Sequence, residues 1–325
     1  MSQTDWQPTA SIETLRERAR LLAHTRAFFA ERGVLEVETP VLGHGGSTDV
    51  HLQSLSCEAM TDAGQERLWL QTSPEFHMKR LLAAGSGPIF QLSRSFRDGE
   101  VGRRHNLEFT MLEWYRPGLD LEGMIAEVES LIRHVLPFDP GPCRHYRYRD
   151  LFRDRLGIDP LTRSLTELRD CASRHGGLDM SQEGRDDCLD LLMSLIIEPD
   201  LGQQCVAVVT DYPASQAALA RHHRDAEDGS LVAARFEVYL AGLELANGYD
   251  ELTDPQEQAA RFADDNARRR QLGKREVAPD QRLLAALEAG LPIGSGVALG
   301  LDRLLQLALG KACVREVMAF STSNC

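Results

Sequence analysis

The segment Phe90 to Arg116, FQLSRSFRDGEVGRRHNLEFTMLEWYR, limits the possible folds more than any other stretch of the chain. Two apolar-aromatic runs flank a short basic loop. The first alternates at Phe90, Leu92 and Phe96, and the second at Phe109, Met111 and, less cleanly, Trp114. Period-two patterning on both sides of a loop predicts an antiparallel, half-buried pair of strands. The connection runs from Arg97 to Asn106 and carries Arg97, Arg103, Arg104 and His105. Guanidinium forks match phosphate oxygens in bidentate geometry, so a rigid hairpin presenting them suits an anion. A solvated, charged surface loop fits the same pattern.

A second feature lies near the C-terminus. In GSGVALGLDRLLQLALG, Gly294, Gly296 and Gly300 mark a short strand, after which Leu301, Leu304, Leu305 and Leu309 trace the apolar face of a helix. Arg303 falls in the first helical turn. Unpaired N–H groups and the positive dipole end favour an anion there, and bare glycine backbone allows a nucleotide to approach. A third segment, RFEVYLAGLELANGYDEL, reads as two strands joined at Ala241-Gly242, with Phe236, Val238 and Leu240 on one face. Asn247-Gly248 is a strong turn signal, which would bring Glu244 and Glu251 together although they are seven residues apart. Paired carboxylates suit Mg²⁺, which leaves its remaining positions to phosphate and water. Two solvated acids beside a turn are the plainer alternative.

Together these segments resemble a family. Arg97 followed by HNLEFT is similar to motif 2 of the class II aminoacyl-tRNA synthetases, GVALGLDR to motif 3, and VLEVETP (residues 34–40) to motif 1. TSPEFHMKR, RHNLEFTMLEWY and ELANGYDELTDPQEQAARF resemble lysyl-tRNA synthetase segments in the same order, and the likeness runs from about residue 11 to the C-terminus. The motif 1 helix begins almost at once, where lysyl-tRNA synthetases carry an anticodon-binding domain. With DYPASQAAL at 211–219, the chain resembles the truncated lysyl-synthetase-like lysyltransferases that act on elongation factor P.

The resemblance implies an α+β fold, the class II synthetase catalytic core, with a mostly antiparallel sheet flanked by helices. It implies one catalytic domain over residues 1–325, with 140–203 a peripheral insertion between motifs 2 and 3. It further implies ATP and Mg²⁺, (R)-β-lysine as the activated amino acid, and elongation factor P as the acceptor. Arg97, Glu244 and Arg303 would be catalytic. ATP would meet Arg97, Asp98, Gly99, Asn106, Phe109, Glu244, Leu245, Gly300 and Arg303. The amino acid would meet Ser73, Pro74, Glu75, Tyr115, Glu251 and Ala298, with Glu113 adding negative charge. Glu251 with Tyr115 would take the distal ammonium and Glu75 the other amine, since buried ammonium groups need carboxylates to offset desolvation. Glu244, aided by Glu251, would hold the metal. The motif 1 helix and strand would form a homodimer interface.

Three positions depart from the family pattern. Gly99 stands where motif 2 has an adenine-reading Glu, with the backbone groups of residues 98 and 99, or Glu100 after a one-residue loop shift, as substitutes. Leu107 replaces a proline, which should loosen the loop. Ala298 replaces glycine, and its methyl should favour a displaced amine over that of α-lysine. A tRNA-charging enzyme and an inactive binding subunit are the rival readings.

Composition agrees. The 325 residues are 42% hydrophobic, ample for a packed core. A net charge of −13 weighs against broad nucleic-acid binding, and so against tRNA as a partner. Seven cysteines without a CxxC pair suit reduced thiols in the cytoplasm, and neither a membrane span nor a signal peptide is evident. A long helix is expected from Ser11 to Arg32, with Ile12, Leu15, Ala19, Leu22 and Phe29 forming its stripe and Gly33 ending it. A second should open at Ser73-Pro74-Glu75 and end before Gly85, and a charged surface helix should span 255–273.

Overall fold

The computed structural model describes residues 6–325; the first five residues of the N-terminal stretch and of the expected 1–325 domain lie outside them. In chain order the strands are β1 (Leu35–Glu36), β2 (Leu42–Gly43), β3 (Ser56–Thr61), β4 (Gly64–Leu70), β5 (Ile89–Phe96), β6 (Glu108–Pro117), β7 (Cys143–Arg147), β8 (Val206–Pro213), β9 (His222–Arg224), β10 (Leu231–Leu240), β11 (Leu243–Asp250) and β12 (Gly294–Gly300). The helices are α1 (Ile12–Ala30), α2 (Glu75–Ala83), α3 (Leu121–Val135), α4 (Tyr148–Leu156), α5 (Leu165–Gly176), α6 (Arg185–Leu192), α7 (Pro255–Gln271), α8 (Gln281–Gly290) and α9 (Leu301–Ala308). The chain divides into two compact units. The first holds the residues up to Leu119 with Ser130–Phe138 and Leu252–Cys325, and the second holds Asp120–Glu129 and Asp139–Glu251.

In the first unit the strands run β1-β5-β6-β12, parallel at β1 and antiparallel elsewhere, and β2-β4-β3 form a small second sheet. The expected hairpin is present as β5 and β6. In β5 the burial favours the other face from the one expected: Gln91, Ser93 and Ser95 are buried, while Leu92 and Phe96 are partly open and Arg94 is exposed. Helix α1 starts because the Ser11 hydroxyl accepts from the Thr14 N–H, and the chain leaves it at Gly33 with φ +64°. Its Phe29 ring stacks on Phe90 at 4.4 Å and meets the edge of Trp114 at 5.3 Å, three buried rings that lock helix to sheet.

The predicted stripe on α1 is rotated. Thr14, Leu21, Thr25, Phe28 and Phe29 face inward, while Ile12 and Ala19 are exposed. Two buried threonines displaced aliphatics because Thr25 can satisfy its hydroxyl on the Leu21 carbonyl at 2.9 Å. Helix α7 is also more than a charged surface element. Phe262 and Arg269 are buried, and the Arg269 guanidinium donates to the carbonyls of Asp49 and Arg275 and to Gln53 Oε1.

In the second unit the order is β11-β10-β8-β7, with β9 on β10; β7 and β8 are parallel and the other pairs antiparallel. Segment 140–203 supplies helices α4, α5 and α6 of this unit. Tyr148, Phe152, Leu168, Leu189 and Leu192 from α4, α5 and α6 share one core with Val209 of β8 and Tyr239 of β10. Strands β10 and β11 join at Ala241-Gly242, both with positive φ (+53° and +69°), the backbone of a tight two-residue hairpin. Asn247-Gly248 makes no turn; it lies within β11, paired with Glu237 and Phe236. Tertiary pairing with β10 overrides the local turn preference.

Candidate active site

Each unit carries its own set of candidate residues. On the first, β5 and β6 anchor the basic loop. Four backbone bonds tie it down: Arg97 N–H to Leu107 O (3.0 Å), Asp98 N–H to Gln53 O (2.8 Å), Val314 N–H to Arg103 O (3.0 Å) and Gly102 N–H to His105 O (3.0 Å). Asn106 adds two more, for its amide donates to Glu108 O and accepts from the Thr322 N–H. The loosening expected from Leu107 is therefore offset by these bonds, and the Asn106 side chain, expected on ATP, is occupied by backbone.

Within this loop Gly99 has φ +80° and Asp98 is exposed. A side chain at Gly99 would be strained, which gives a backbone reason for the departure from glutamate. Glu100 lies 3.8 Å from Arg97 and 3.9 Å from His105. The Arg97 guanidinium is 5.1 Å from the centre of the Phe109 ring, and its buried Nε makes no hydrogen bond.

Arg303 is where the sequence predicts it, in the first turn of α9. A Cβ added at Gly300 would come within 3.4 Å of its Cδ, so the glycine leaves the backbone bare beside it. Arg303 Nε donates to Arg104 O at 3.3 Å, and its Nη2 is 2.6 Å from His105 Nε2. Burial, and then the Arg303 charge, push the His105 pKa below its ordinary value. The imidazole is thus neutral near pH 7 and accepts the guanidinium proton. Asp302, an acid among the leucines of α9, pins this turn: it accepts from the Thr110 N–H (2.7 Å) and from Arg18 (2.6 Å). That anchor escaped the sequence reading, although an acid on an apolar face was its signal.

The amino-acid candidates of the first unit converge on Glu113, which is 1% exposed. Its carboxylate accepts from Ser73 Oγ (2.5 Å) and from the Tyr115 hydroxyl (2.6 Å). The Ser73 hydroxyl also accepts from the Glu75 N–H at 3.1 Å, just ahead of α2, whose N-cap is Pro74. Ala298 faces Glu113 across the β12–β6 register. Two expectations change. Tyr115 gives its proton to Glu113, and Glu75 is paired with the buried Lys79 ammonium at 2.6 Å, one helical turn on. Any substrate amine would share Glu75 with Lys79.

On the second unit Glu244 and Leu245 lie in β11, and Glu251 follows its last residue, in an isolated antiparallel bridge with Ala220. The missing turn removes the expected route by which the acids would meet. Register supplies another. Glu244 pairs with Tyr239 but Ala246 with Val238, so Leu245 is an extra residue, a β-bulge. In a regular strand a seven-residue spacing puts side chains on opposite faces; one inserted residue returns Glu244 and Glu251 to the same face. Glu244 is half-buried and Glu251 is 4% exposed. Among the described residues no three His, Cys, Asp or Glu gather into a metal-holding group. Two hard oxygen donors on one face fit Mg²⁺, whose remaining positions phosphate and water fill.

This is the equipment of an enzyme that activates a carboxylic acid with a nucleotide. A family model of class II tRNA synthetases (D, K and N) matches residues 3–324, and the chain belongs to that family. It is 50% identical to the elongation factor P–(R)-β-lysine ligase of Mannheimia succiniciproducens and 49% identical to that of Pasteurella multocida, over 99% of each chain. The ligase of the same name from Vibrio parahaemolyticus is 50% identical over 98% of both. No helix of the described residues is long and apolar enough to cross a membrane.

Proposed function

We propose that this chain uses ATP to activate (R)-β-lysine and joins it to a lysine side chain of elongation factor P. The observation that carries the reading is half-identity, over essentially the whole length of both chains, to ligases of that name. The substrate carboxylate attacks the α-phosphorus, the bond to pyrophosphate breaks, and an acyl-adenylate forms. The acceptor amine then attacks the acyl carbon and AMP leaves. Arg97 screens the α-phosphate and the substrate carboxylate, and Arg303, beside neutral His105, holds the terminal phosphate. Phe109 packs against adenine. Asp98 and Gly99, with the backbone of Leu245 and Gly300, border the nucleotide. Positioning and electrostatics dominate such phosphate chemistry.

Glu244, with Glu251, would hold Mg²⁺, which when bound neutralises phosphate charge. Glu251 and Glu113 supply negative charge for the two amines, with Ser73 and Tyr115 orienting Glu113. Exposed Ile12 of α1 and Leu35 of β1, at 57% and 56%, supply apolar surface for a homodimer. Seven free cysteines suit the cytoplasm. The test is the intact mass of elongation factor P after incubation with enzyme, ATP and (R)-β-lysine. One added β-lysyl unit supports the reading; an unmodified factor beside efficient tRNA charging overturns it.

A further inference from the structure

Strand β10 presents Arg235, Glu237 and Tyr239 at alternate positions and therefore on one face. Across the register they meet Tyr249, Asn247 and Glu244 of β11. The buried Glu237 carboxylate accepts from the hydroxyls of Tyr212 (2.6 Å) and Tyr239 and from Arg235. The Arg235 guanidinium lies over the Tyr212 ring at 4.4 Å, donates to Gln216 O at 2.7 Å, and reaches Asn247 Oδ1 at 3.2 Å. Asn247 in turn donates to the Tyr249 hydroxyl at 3.2 Å. Apart from Glu244, none of these groups has a part in the chemistry above.

A buried ion pair seldom adds net stability over an apolar pair, but it can fix one arrangement against its neighbours. Here the arrangement at risk is a register. Leu245 is unpaired, and if the strand slipped by one residue so that the bulge was absorbed into the ladder, the following side chains, Asn247 and Glu251 among them, would turn to the opposite face. The bond from Arg235 to Asn247 lies on the C-terminal side of that bulge, where it opposes the slip.

We propose that Arg235 and Glu237 are positioning residues: a buried pair that locks the register of β11 past the Leu245 bulge and so keeps Glu244 and Glu251 on one face. The proposal rests on the functional reading above for what those acids do, and on geometry alone for what the pair does. The test compares Arg235→Lys, which keeps the charge but loses the fork, with the neutral double variant Arg235→Met/Glu237→Gln. ATP–pyrophosphate exchange with (R)-β-lysine should show KM for the amino acid raised roughly tenfold or more, the scale of one lost charge-assisted hydrogen bond, with a smaller change in kcat. Backbone amides of β11 should exchange with deuterium faster while the melting temperature stays near that of the wild type.

A folded variant with unchanged KM and protected β11 amides overturns the proposal. So does loss of folding in both variants, which would make the pair purely structural. A wild type that exchanges with neither lysine isomer strikes the functional reading alone, because deuterium exchange of β11 still decides whether the pair holds the strand.

Discussion

Two clusters of arginine, one on each unit, look alike in sequence and differ in what surrounds them. On the second unit Arg149, 3% exposed, donates to Asp159 and Asp228 at 2.6 Å, and Arg153 donates to Asp159 at 2.9 Å and to Glu227 at 2.8 Å. Arg147 pairs with Asp225 in the same network. On the first unit Arg97 has its nearest carboxylate at 3.8 Å, an aromatic ring at 5.1 Å, and a buried Nε without a hydrogen bond. Arg303 leans on a neutral imidazole. Guanidinium groups saturated by carboxylates hold chain segments together; a group such as Arg97, set against an aromatic ring with its nearest carboxylate at 3.8 Å, keeps its charge for an incoming anion.

Removing one member from each cluster should break the molecule in different ways. Arg149→Met removes the guanidinium from Asp228 and leaves Asp159 to Arg153 and Asp225 to Arg147, and should cost about 1 to 3 kcal/mol of stability. Chemical denaturation measures that loss, and exchange activity per folded molecule should be unchanged. Arg303→Ala should do the reverse. Its melting transition should match the wild type, while ATP–pyrophosphate exchange falls on the order of a hundredfold or more, as for one lost donor worth about 2.7 to 4 kcal/mol. Near-normal exchange would remove Arg303 from the phosphate site.

A finer contrast lies in selectivity. Ala298→Gly, opposite Glu113, should partly relax discrimination against α-lysine, since one carbon is worth about 1 to 3 kcal/mol in such a pocket. An unchanged ratio of exchange rates for the two isomers would move selectivity elsewhere, to the Glu75–Lys79 pair first.

The smallest effect concerns acid. Although burial opposes ionisation, hydrogen bonds from Arg149, the Leu161 N–H and Arg153 pull Asp159 down to about 2 from its ordinary 3.8. A depressed carboxylate contributes stability that is complete above the unfolded value and is lost as pH falls from about 4 through about 2. Asp159→Asn should flatten that part of the stability profile, measured by denaturant melts at stepped pH. An unaltered slope would mean the network is not what acid breaks.

Much of this was legible in the sequence because its signals are local. The β5–β6 hairpin, the strand-to-helix step that places Arg303, and the tight turn at Ala241-Gly242 each announce themselves within a few residues. What was misread depends on distant partners. The inward face of α1 is set by Phe90 and Trp114, rings more than sixty positions away in the chain, and the Asn247-Gly248 turn signal yields to pairing with β10. Lys79 could be placed one turn after Glu75, but its burial could not, since that depends on what packs over α2. Arg269 looked like a surface charge for the same reason: its partners are carbonyls at Asp49 and Arg275 and the Gln53 amide, groups that no side-chain pattern displays.

The extra residue at Leu245 turns spacing into a conditional ruler. Two acids seven positions apart share a face only because one residue between them is left out of the ladder. A deletion that removed Leu245 together with the bulge would leave six positions and the same face, whereas a deletion elsewhere between Glu244 and Glu251 with the bulge kept would separate them. In a chain built this way, the count of residues between two functional groups carries meaning only when it is taken together with the pairing of the strand that bears them.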